Sequence, residues 1–322
     1  MKEYRIGKNE AGQRFDKYLF KLLCNAKQSL IYKQLRNKNI TLNNHKAKGN
    51  ELLNIDDIVR IYMSDDTIDI FSAKKEIKRT TNDNLNVIYE DENILLADKP
   101  YGILSQKATG TDISMNELLI FHMLDAGMPK EVLNTFKPAF CNRLDRNTTG
   151  LMIAGKTLSG LKTMSELLKN RTLSKYYLAI VNGIISENRH IDGYLIKDEK
   201  SNRVRILDNK TDDSDYIETF YTPLAVKNGL TLIKVKLITG KTHQIRAHLA
   251  SIGHSILGDP KYGDIGLNKK MHTKRQLLHS YEVIFPEMPD KYRAISGKSF
   301  TTPFPSDFLK YFTAKDMEAD NG

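Results

Sequence analysis

The chain has 322 residues, of which 49 are Lys or Arg and 39 are Asp or Glu, so its formal net charge is +10. Hydrophobic residues make up 40% and charged residues 27% of the chain, which excludes a disordered or fibrous protein and is enough for two domains. Two cysteines, Cys24 and Cys141, are too few for a disulfide scaffold or a thiolate metal cluster. Because the sequence has no apolar leader and no membrane-length apolar run, we expect a cytoplasmic protein without a membrane partner.

The amino-terminal segment carries most of the excess positive charge. Residues 1–60 hold 13 basic and six acidic residues, a net charge of +7. Such asymmetry is typical of a nucleic-acid-binding or membrane-binding segment, although a solvated surface has the same composition. The predicted elements are a helix around residues 15–23, a helix over residues 30–37 capped by Ser29, and strands at residues 40–42 and 58–61.

This unit is too small for a large enzyme pocket, but it can present a basic face to phosphates. It resembles the alpha-L RNA-binding domain of a small-subunit ribosomal protein over residues 14–23 and 31–61. The resemblance implies RNA contacts by the basic side chains of this face. The candidates are Lys17, Lys33, Arg36 and Lys38.

From residue 64 to about residue 82 no period is sustained, which predicts a linker with one short strand at residues 68–71. Beyond residue 85, strands come in runs without regular βαβ alternation, which favours an α+β fold. We therefore expect an RNA-binding domain at residues 1–70, a linker at 71–84 and a catalytic domain at 85–322. The predicted elements of that last domain are a hairpin of strands 86–89 and 94–97, strands at 151–154, 176–181 and 232–238, and helices at 158–169 and 247–252.

Two patterns beyond residue 85 suggest sites that we reject. Residues 150–157 match the phosphate-binding pattern G-x-x-x-x-G-K-T, which requires a flexible loop between its glycines. The four residues between Gly150 and Gly155 are apolar and are predicted to form a strand, so an NTPase is not expected. His243 and His248 are five residues apart and would not share a helix face, so no metal site is indicated.

Three other segments combine residues that could carry chemistry. Asp145 lies between Arg143 and Arg146, which would keep its carboxylate ionised and suit it to act as a nucleophile or base. Tyr177 follows Lys175 at the start of a strand. Arg246 lies among hydrogen-bond donors at a strand-to-helix junction, where an anion would be held. Taken singly, these are ordinary features of surface ion pairs and strand packing.

Taken together, the three segments resemble the RluA family of pseudouridine synthases. The matching stretches are residues 86–106, 141–157, 174–183, 239–263 and 276–286. With the alpha-L domain in front, the resemblance covers nearly the whole chain, as in family members that modify large-subunit ribosomal RNA. It implies a catalytic domain built on a central, mainly antiparallel mixed β-sheet with flanking helices and loops.

The resemblance also implies the site. The catalytic aspartate of the family corresponds to Asp145, its active-site tyrosine to Tyr177 and its active-site basic residue to Arg246. Arg143 corresponds to the arginine that fills the gap left by the flipped base. The family usually has His where this chain has Asn142, which puts one secondary RNA contact in doubt. The implied reaction is the isomerisation of uridine to pseudouridine, which needs no cofactor and no nucleotide.

Three functions follow from different interpretations of the same residues. The first is modification of ribosomal RNA by a cytoplasmic monomer, and the second is the same reaction on transfer RNA. The third is a non-catalytic RNA-binding factor for ribosome assembly. The set Asp145, Tyr177 and Arg246 argues against the third, since a protein that only binds RNA does not need all three.

Overall fold

The computed structural model describes residues 1–72, 84–109, 112–198, 201 and 203–317. Within these residues the chain forms a four-stranded sheet at the amino-terminal end and an eleven-stranded sheet in the remainder. Each sheet packs against its own hydrophobic cores. Most of the predicted linker, residues 73–83, lies outside the described residues. No helix of the described part is both long and apolar enough to cross a membrane.

Residues 1–72, called here the amino-terminal unit, pack three helices on the small sheet. Phe15 and Leu19 of the first helix and Leu35 of the second are buried in one core, as the helical spacing of the apolar residues predicts. The elements are β1 (Lys2–Arg5), α1 (Phe15–Leu22), α2 (Gln28–Arg36), β2 (Ile40–Leu42), β3 (His45–Lys46), β4 (Ile58–Ile61) and α3 (Asp65–Phe71). The strand order is β1-β4-β2-β3.

Two predictions for this unit are wrong. The helix α2 starts at Gln28 after Lys27, so Ser29 lies inside it and does not cap it. Residues 68–71 belong to α3 and not to a strand, because the Ser64 side chain accepts a hydrogen bond from the Thr67 amide at 3.3 Å and caps a helix. The structured unit therefore extends past residue 64, where the sequence pattern breaks.

The remaining residues form one large sheet with helices on its faces. Its strands are β5 (Asn86–Glu90), β6 (Ile94–Lys99), β7 (Ala139–Phe140), β8 (Thr149–Gly155), β9 (Ser174–Asn182), β10 (Arg189–Asp198), β11 (Arg203–Leu207), β12 (Asp215–Lys227), β13 (Leu230–Leu237), β14 (Leu278–Ile284) and β15 (Ser299–Thr301). The α-helices are α4 (Met115–Asp125), α5 (Leu158–Lys169), α6 (Gln244–Ser251) and α7 (Ile265–Lys270), and 3-10 helices lie at Lys130–Asn134, Asp290–Tyr292, Ser306–Lys310 and Ala314–Met317.

The order of this sheet is β11-β10-β12-β13-β9-β14-β8-β6-β5, with β15 paired to β14 and β7 paired to β8. All its pairings are antiparallel except that of β14 with β8. The mainly antiparallel mixed sheet and the helix over residues 158–169 are confirmed. The predicted strands are also found, and several are longer than expected. The apolar residues between Gly150 and Gly155 lie in β8, so this segment is a strand, as predicted, and not a phosphate-binding loop.

The last long strand, β14, joins the two halves of the sheet. Gly150 has a φ of +108°, and a Cβ there would lie 2.1 Å from the Ser280 carbonyl oxygen, so only glycine allows β8 to approach β14 this closely. Next to it, the buried His279 ring is hydrogen-bonded at Nδ1 to the Thr149 hydroxyl (2.7 Å) and at Nε2 to the Thr302 hydroxyl (2.6 Å). These contacts connect β14 to β8 and to the residue that follows β15.

Candidate active site

A cavity of about 810 Å³ opens beside the junction of β8, β14 and β9. The loop of residues 141–148 forms one wall, and the start of β9 forms another. The end of β13 and the segment that leads into α6 complete the lining. The loop, β9 and the α6 segment correspond to the three segments of the sequence that combine possible catalytic residues.

Asp145 lies on the loop between β7 and β8, with 27% of its side chain exposed to the cavity. Its Oδ2 accepts a hydrogen bond from Arg246 Nη1 at 2.6 Å. His243 Nε2 lies 3.8 Å from the same oxygen. The carboxylate thus has one strong charged partner and an accessible face, which suits a group that attacks a substrate or removes a proton from it.

Arg246 is fixed by a second carboxylate on its far side. Its Nε and Nη2 donate to the two oxygens of the fully buried Asp259 at 2.7 and 2.8 Å. Burial alone would lower the pKa of Arg246, but the hydrogen bonds and charges of Asp259 and Asp145 raise it above its ordinary value. Burial likewise opposes the charge of Asp259, yet Arg246 holds the pKa of that carboxyl below its usual range. Arg246 is therefore a permanent cation, held in one orientation by the bidentate pair.

Lys99 organises the loop that carries Asp145. Its buried ammonium donates to the carbonyl oxygens of Pro100 (3.1 Å), Arg146 (2.9 Å) and Thr148 (2.9 Å). Burial lowers the pKa of Lys99 to about 7, and the charge of Asp145 opposes that shift. The lysine thereby connects the end of β6 to both sides of the turn that follows Asp145.

Ser105 fixes the loop just before Asp145. Its Oγ donates to the Leu144 carbonyl at 2.7 Å and accepts from the Leu144 amide at 3.0 Å. The backbone is thus held on both sides of Asp145, and such fixed backbone positions a reacting group before the substrate arrives.

Tyr177 lines the cavity from β9, with only 6% of its surface exposed. Burial raises its pKa to about 12, although a hydrogen bond with the Ser280 side chain opposes the shift. At neutral pH its hydroxyl is therefore protonated. A neutral phenol in this position can pack against a base and relay a proton, but it is not a strong base by itself.

The neighbours of Asp145 along the chain do not pair with it. Arg143 is exposed and lines the cavity, and the Arg146 Nε donates to the Gly102 carbonyl at 3.0 Å. The expectation that Arg143 and Arg146 flank the carboxylate as charge partners is therefore wrong, because Arg246 takes that place. Asn142, where the family usually has His, accepts a hydrogen bond from the Ile153 amide at 2.8 Å through its Oδ1.

The four basic side chains predicted to contact RNA lie on the amino-terminal unit and not at the cavity. Lys17 is on α1, Lys33 and Arg36 are on α2, and Lys38 follows α2; all four are exposed. The Lys17 ammonium lies 5.7 Å from the centre of the Phe20 ring. Within the described residues, no group of three or more His, Cys, Asp or Glu side chains is arranged to hold a metal ion.

No pattern in the sequence indicates Lys99, Asp259 or His243 as parts of the site. Asp259 and His243 lie in a stretch that resembles the family, and Lys99 lies in another, so the motifs contain them without revealing their roles. His243 is also the residue before α6, where its backbone has a φ of +53° and starts the helix that carries Arg246. Burial lowers the pKa of His243, and the charge of Asp145 opposes this.

Several known proteins are similar to this chain in sequence. The family model described as RNA pseudouridylate synthase matches residues 93–251. An uncharacterized RNA pseudouridine synthase of Mycoplasma genitalium is 30% identical, with 96% of this chain and 97% of that protein covered. The ribosomal large subunit pseudouridine synthase C of Pasteurella multocida is 31% identical, with 88% of this chain and 86% of that protein covered.

Two solved human structures share the fold. RNA pseudouridylate synthase domain containing 1 has a TM-score of 0.55 at 20% identity and covers 74% of this chain and 90% of its own. RNA pseudouridylate synthase domain containing 4 has a TM-score of 0.56 at 21% identity and covers 72% of this chain and 93% of its own. By sequence and by fold, this chain belongs to the RNA pseudouridylate synthase family.

Proposed function

We propose that this protein converts specific uridines of large-subunit ribosomal RNA to pseudouridine. The observation that carries the proposal is the Asp145 carboxylate, exposed in a cavity and paired at 2.6 Å with an arginine that a second, buried aspartate holds in place. The ribosomal target is supported by relatives that are named ribosomal large subunit pseudouridine synthases, among them those of Pasteurella multocida and Haemophilus influenzae.

The reaction breaks the bond between N1 of uracil and the anomeric carbon of ribose and forms a bond from that carbon to C5. The hydrogen on C5 leaves and N1 gains one, so atoms and electrons balance without an oxidant or a reductant. Asp145 acts on the ribose, either as a nucleophile at the anomeric carbon or as a base at the adjacent position. Arg246 pairs with the carboxylate and orients it. Tyr177 lies against the uracil and relays the proton released from C5.

The target uridine of a folded RNA must leave its stack to reach Asp145. Arg143 is exposed at the cavity and lies two residues before Asp145. Its planar guanidinium can occupy the space that the uridine leaves and stack on the neighbouring bases.

The amino-terminal unit supplies affinity for the RNA backbone. We propose an RNA-binding domain at residues 1–70, a linker at 71–84 and a catalytic domain at 85–322. Separate sheets and cores support this division, and the exposed Lys17, Lys33, Arg36 and Lys38 are the proposed phosphate contacts. We expect the protein to act as a monomer, since Asp145, Tyr177 and Arg246 all come from one chain. We also expect it to act in the cytoplasm.

Mapping of pseudouridines in total RNA, from cells with and without the gene, tests the function. We expect one or a few positions of large-subunit ribosomal RNA to lose pseudouridine, and we expect wild-type protein but not Asp145→Asn to restore them. Loss of pseudouridine from transfer RNA alone would show that transfer RNA, the second candidate, is the substrate. If no pseudouridine position changes, the result would contradict enzymatic activity, and a non-catalytic RNA-binding factor would be the remaining candidate function.

A further inference from the structure

Lys175 and Arg171 are two of the cations that line the cavity, and the chemistry described above gives them no role. Lys175 lies two residues before Tyr177 on β9, so both side chains extend from the same face of the strand toward the cavity. Arg171 lies just after α5, with a backbone φ of +59°, and lines the same cavity. A Cβ added to Gly240 would lie 3.5 Å from Lys175 Nζ, which places the ammonium beside the segment that leads to Arg246.

Two other cations of the cavity, Arg246 and Lys241, are already engaged by the protein. Arg246 binds Asp145 and Asp259, and Lys241 forms an ion pair with the exposed Asp215 at 2.6 Å. Within the described part of the chain, by contrast, Lys175 and Arg171 form no hydrogen bond or ion pair through their side chains.

A half-buried ammonium without a counter-ion is costly, because burial removes water and nothing replaces its hydrogen bonds. Burial lowers the pKa of Lys175, and the neighbouring charge of Arg171 lowers it further. The charges of Lys175 and Arg171 repel each other in the free protein, and an anion bound between them would offset that repulsion. The arrangement therefore favours a negatively charged ligand at this end of the cavity.

We infer that Lys175 and Arg171 form a phosphate site for the RNA strand next to the target uridine. The inference rests on the proposed function, since an RNA that brings its uridine to Tyr177 also brings its phosphodiesters into the cavity. Neighbouring side chains on one strand face are separated by about 7 Å along β9, which is a suitable distance between a base on Tyr177 and a phosphate on Lys175. Arg171 can donate two parallel hydrogen bonds to such a phosphate, and Lys175 supplies a point charge.

The test measures binding of a nine-nucleotide oligouridylate to the full chain over a series of KCl concentrations. Lys175→Met is compared with wild type, with Lys175→Arg and with Lys169→Met. Lys169 is the matched control, since it is exposed in the last turn of α5, two residues before Arg171. We expect Lys175→Met to weaken binding about tenfold and to reduce the slope of log K against log salt by about 0.7, the value for one phosphate of a single strand. Lys175→Arg should restore most of the affinity, and Lys169→Met should behave as wild type.

Unchanged RNA affinity and salt slope in Lys175→Met would overturn the inference. An equal loss of affinity in Lys169→Met would also overturn it, because it would indicate only general attraction of RNA to a cationic surface. If Lys175→Met lowers the melting temperature, the Lys175→Arg variant separates a folding defect from a lost phosphate contact. RNA affinity close to wild type in Lys175→Arg would support the site, and affinity as low as that of Lys175→Met would refute it. Turnover of an unmodified large-subunit ribosomal RNA transcript by wild type is measured in parallel. No pseudouridine in that transcript, together with the expected change in slope, would refute the proposed function and leave the phosphate site standing.

Discussion

At the scale of single residues, Arg246 matters because it binds two carboxylates with different surroundings. Asp259 is fully buried and Asp145 is partly exposed, so one anion fixes the guanidinium and the other remains accessible to a substrate. Removal of the Asp145 charge leaves Arg246 still paired with Asp259. The pair that anchors the site is thus separable from the group proposed to react.

Asp145→Asn should therefore abolish catalysis without unfolding the protein. We expect pseudouridine formation to fall by more than about a thousandfold, or about 4 kcal/mol in the barrier, with RNA affinity and melting temperature close to those of wild type. Single-turnover assays and thermal denaturation measure the two effects, with the exposed Asp212→Asn as the control. Residual activity within about tenfold of wild type, about 1.4 kcal/mol, would be too small a loss for a group that is proposed to act directly on the ribose.

Arg143→Ala distinguishes two roles for the exposed arginine of the loop. If Arg143 fills the space of the extruded uridine, the variant should be slow on folded RNA and largely rescued on a short flexible oligonucleotide that carries the same site. The rescue is expected because a flexible strand has little stacking to lose, whereas unstacking in a folded RNA costs a few kcal/mol. Single-turnover rates on the two substrates provide the measurement. Equal defects on both would rule out the space-filling role and leave an electrostatic one.

Asp145, Tyr177 and Arg246 could be predicted as site residues because each lies in a short motif that resembles the family. Their supporting partners could not be predicted in the same way. Lys99 binds the Thr148 carbonyl 49 residues away, and a lysine followed by proline has no local pattern that indicates such a contact. The same holds for the orientation of Arg146 toward Gly102, which depends on how two distant loops pack.

At the scale of elements, the prediction for residues 68–71 shows where periodicity is insufficient. Ile68 and Ile70 alternate with polar residues, as they would in a strand. The residues before them favour a helix. Ser64 caps the amino-terminal end of α3, and Asp65 and Asp66 in its first turn interact favourably with the helix dipole. The helix 158–169 was predictable because its apolar residues recur over three turns.

The connection of β14 to β8 and β15 through His279 should make stability depend on pH. Burial lowers the pKa of His279 from 6.5 to about 3, so below 6.5 the unfolded chain binds a proton that the folded protein excludes. The free energy of unfolding should therefore fall as the pH drops from about 6.5 toward about 3, by about 2 kcal/mol at pH ~5 from this group. Urea denaturation of wild type and His279→Gln at several pH values measures the contribution.

His279→Gln should lose this part of the acid dependence even if the variant is less stable at neutral pH. His45→Gln, which changes an exposed imidazole of the β2–β3 hairpin, should retain it. If His279→Gln kept the same acid dependence as wild type, other groups would be responsible for it.

At the scale of the whole molecule, the amino-terminal unit contacts the large sheet through polar groups. Lys8 pairs with Glu92 at 3.0 Å, the Thr135 hydroxyl donates to Glu10 at 2.7 Å, and Lys162 donates to the Gly12 carbonyl at 2.8 Å. An exposed ion pair such as Lys8–Glu92 contributes at most about 1 kcal/mol. Among the residues that the structure describes, no hydrophobic core spans the two units.

Deletion of residues 1–80 should consequently leave a folded catalytic domain that binds RNA more weakly. We expect affinity for the large-subunit transcript to fall at low salt and the difference from the full chain to shrink at high salt, because the removed residues carry phosphate-neutralising cations. Circular dichroism checks the fold, and binding over a salt series checks the affinity. A truncated protein with the salt slope of the full chain would show that this unit does not contact the RNA backbone.

The place of β14 in the sheet has a consequence for biosynthesis. Residues 278–284 leave the ribosome well after β8 and β9, yet they lie between β9, which carries Tyr177, and β8, which follows the Asp145 loop. Until they emerge, the two halves of the sheet have no strand to join them, and the pairing that joins them closes a long loop of chain. The nascent protein therefore completes this sheet only after residue 284 has emerged, and a chain that stops short of residue 278 lacks the strand that joins the two halves of the candidate active site.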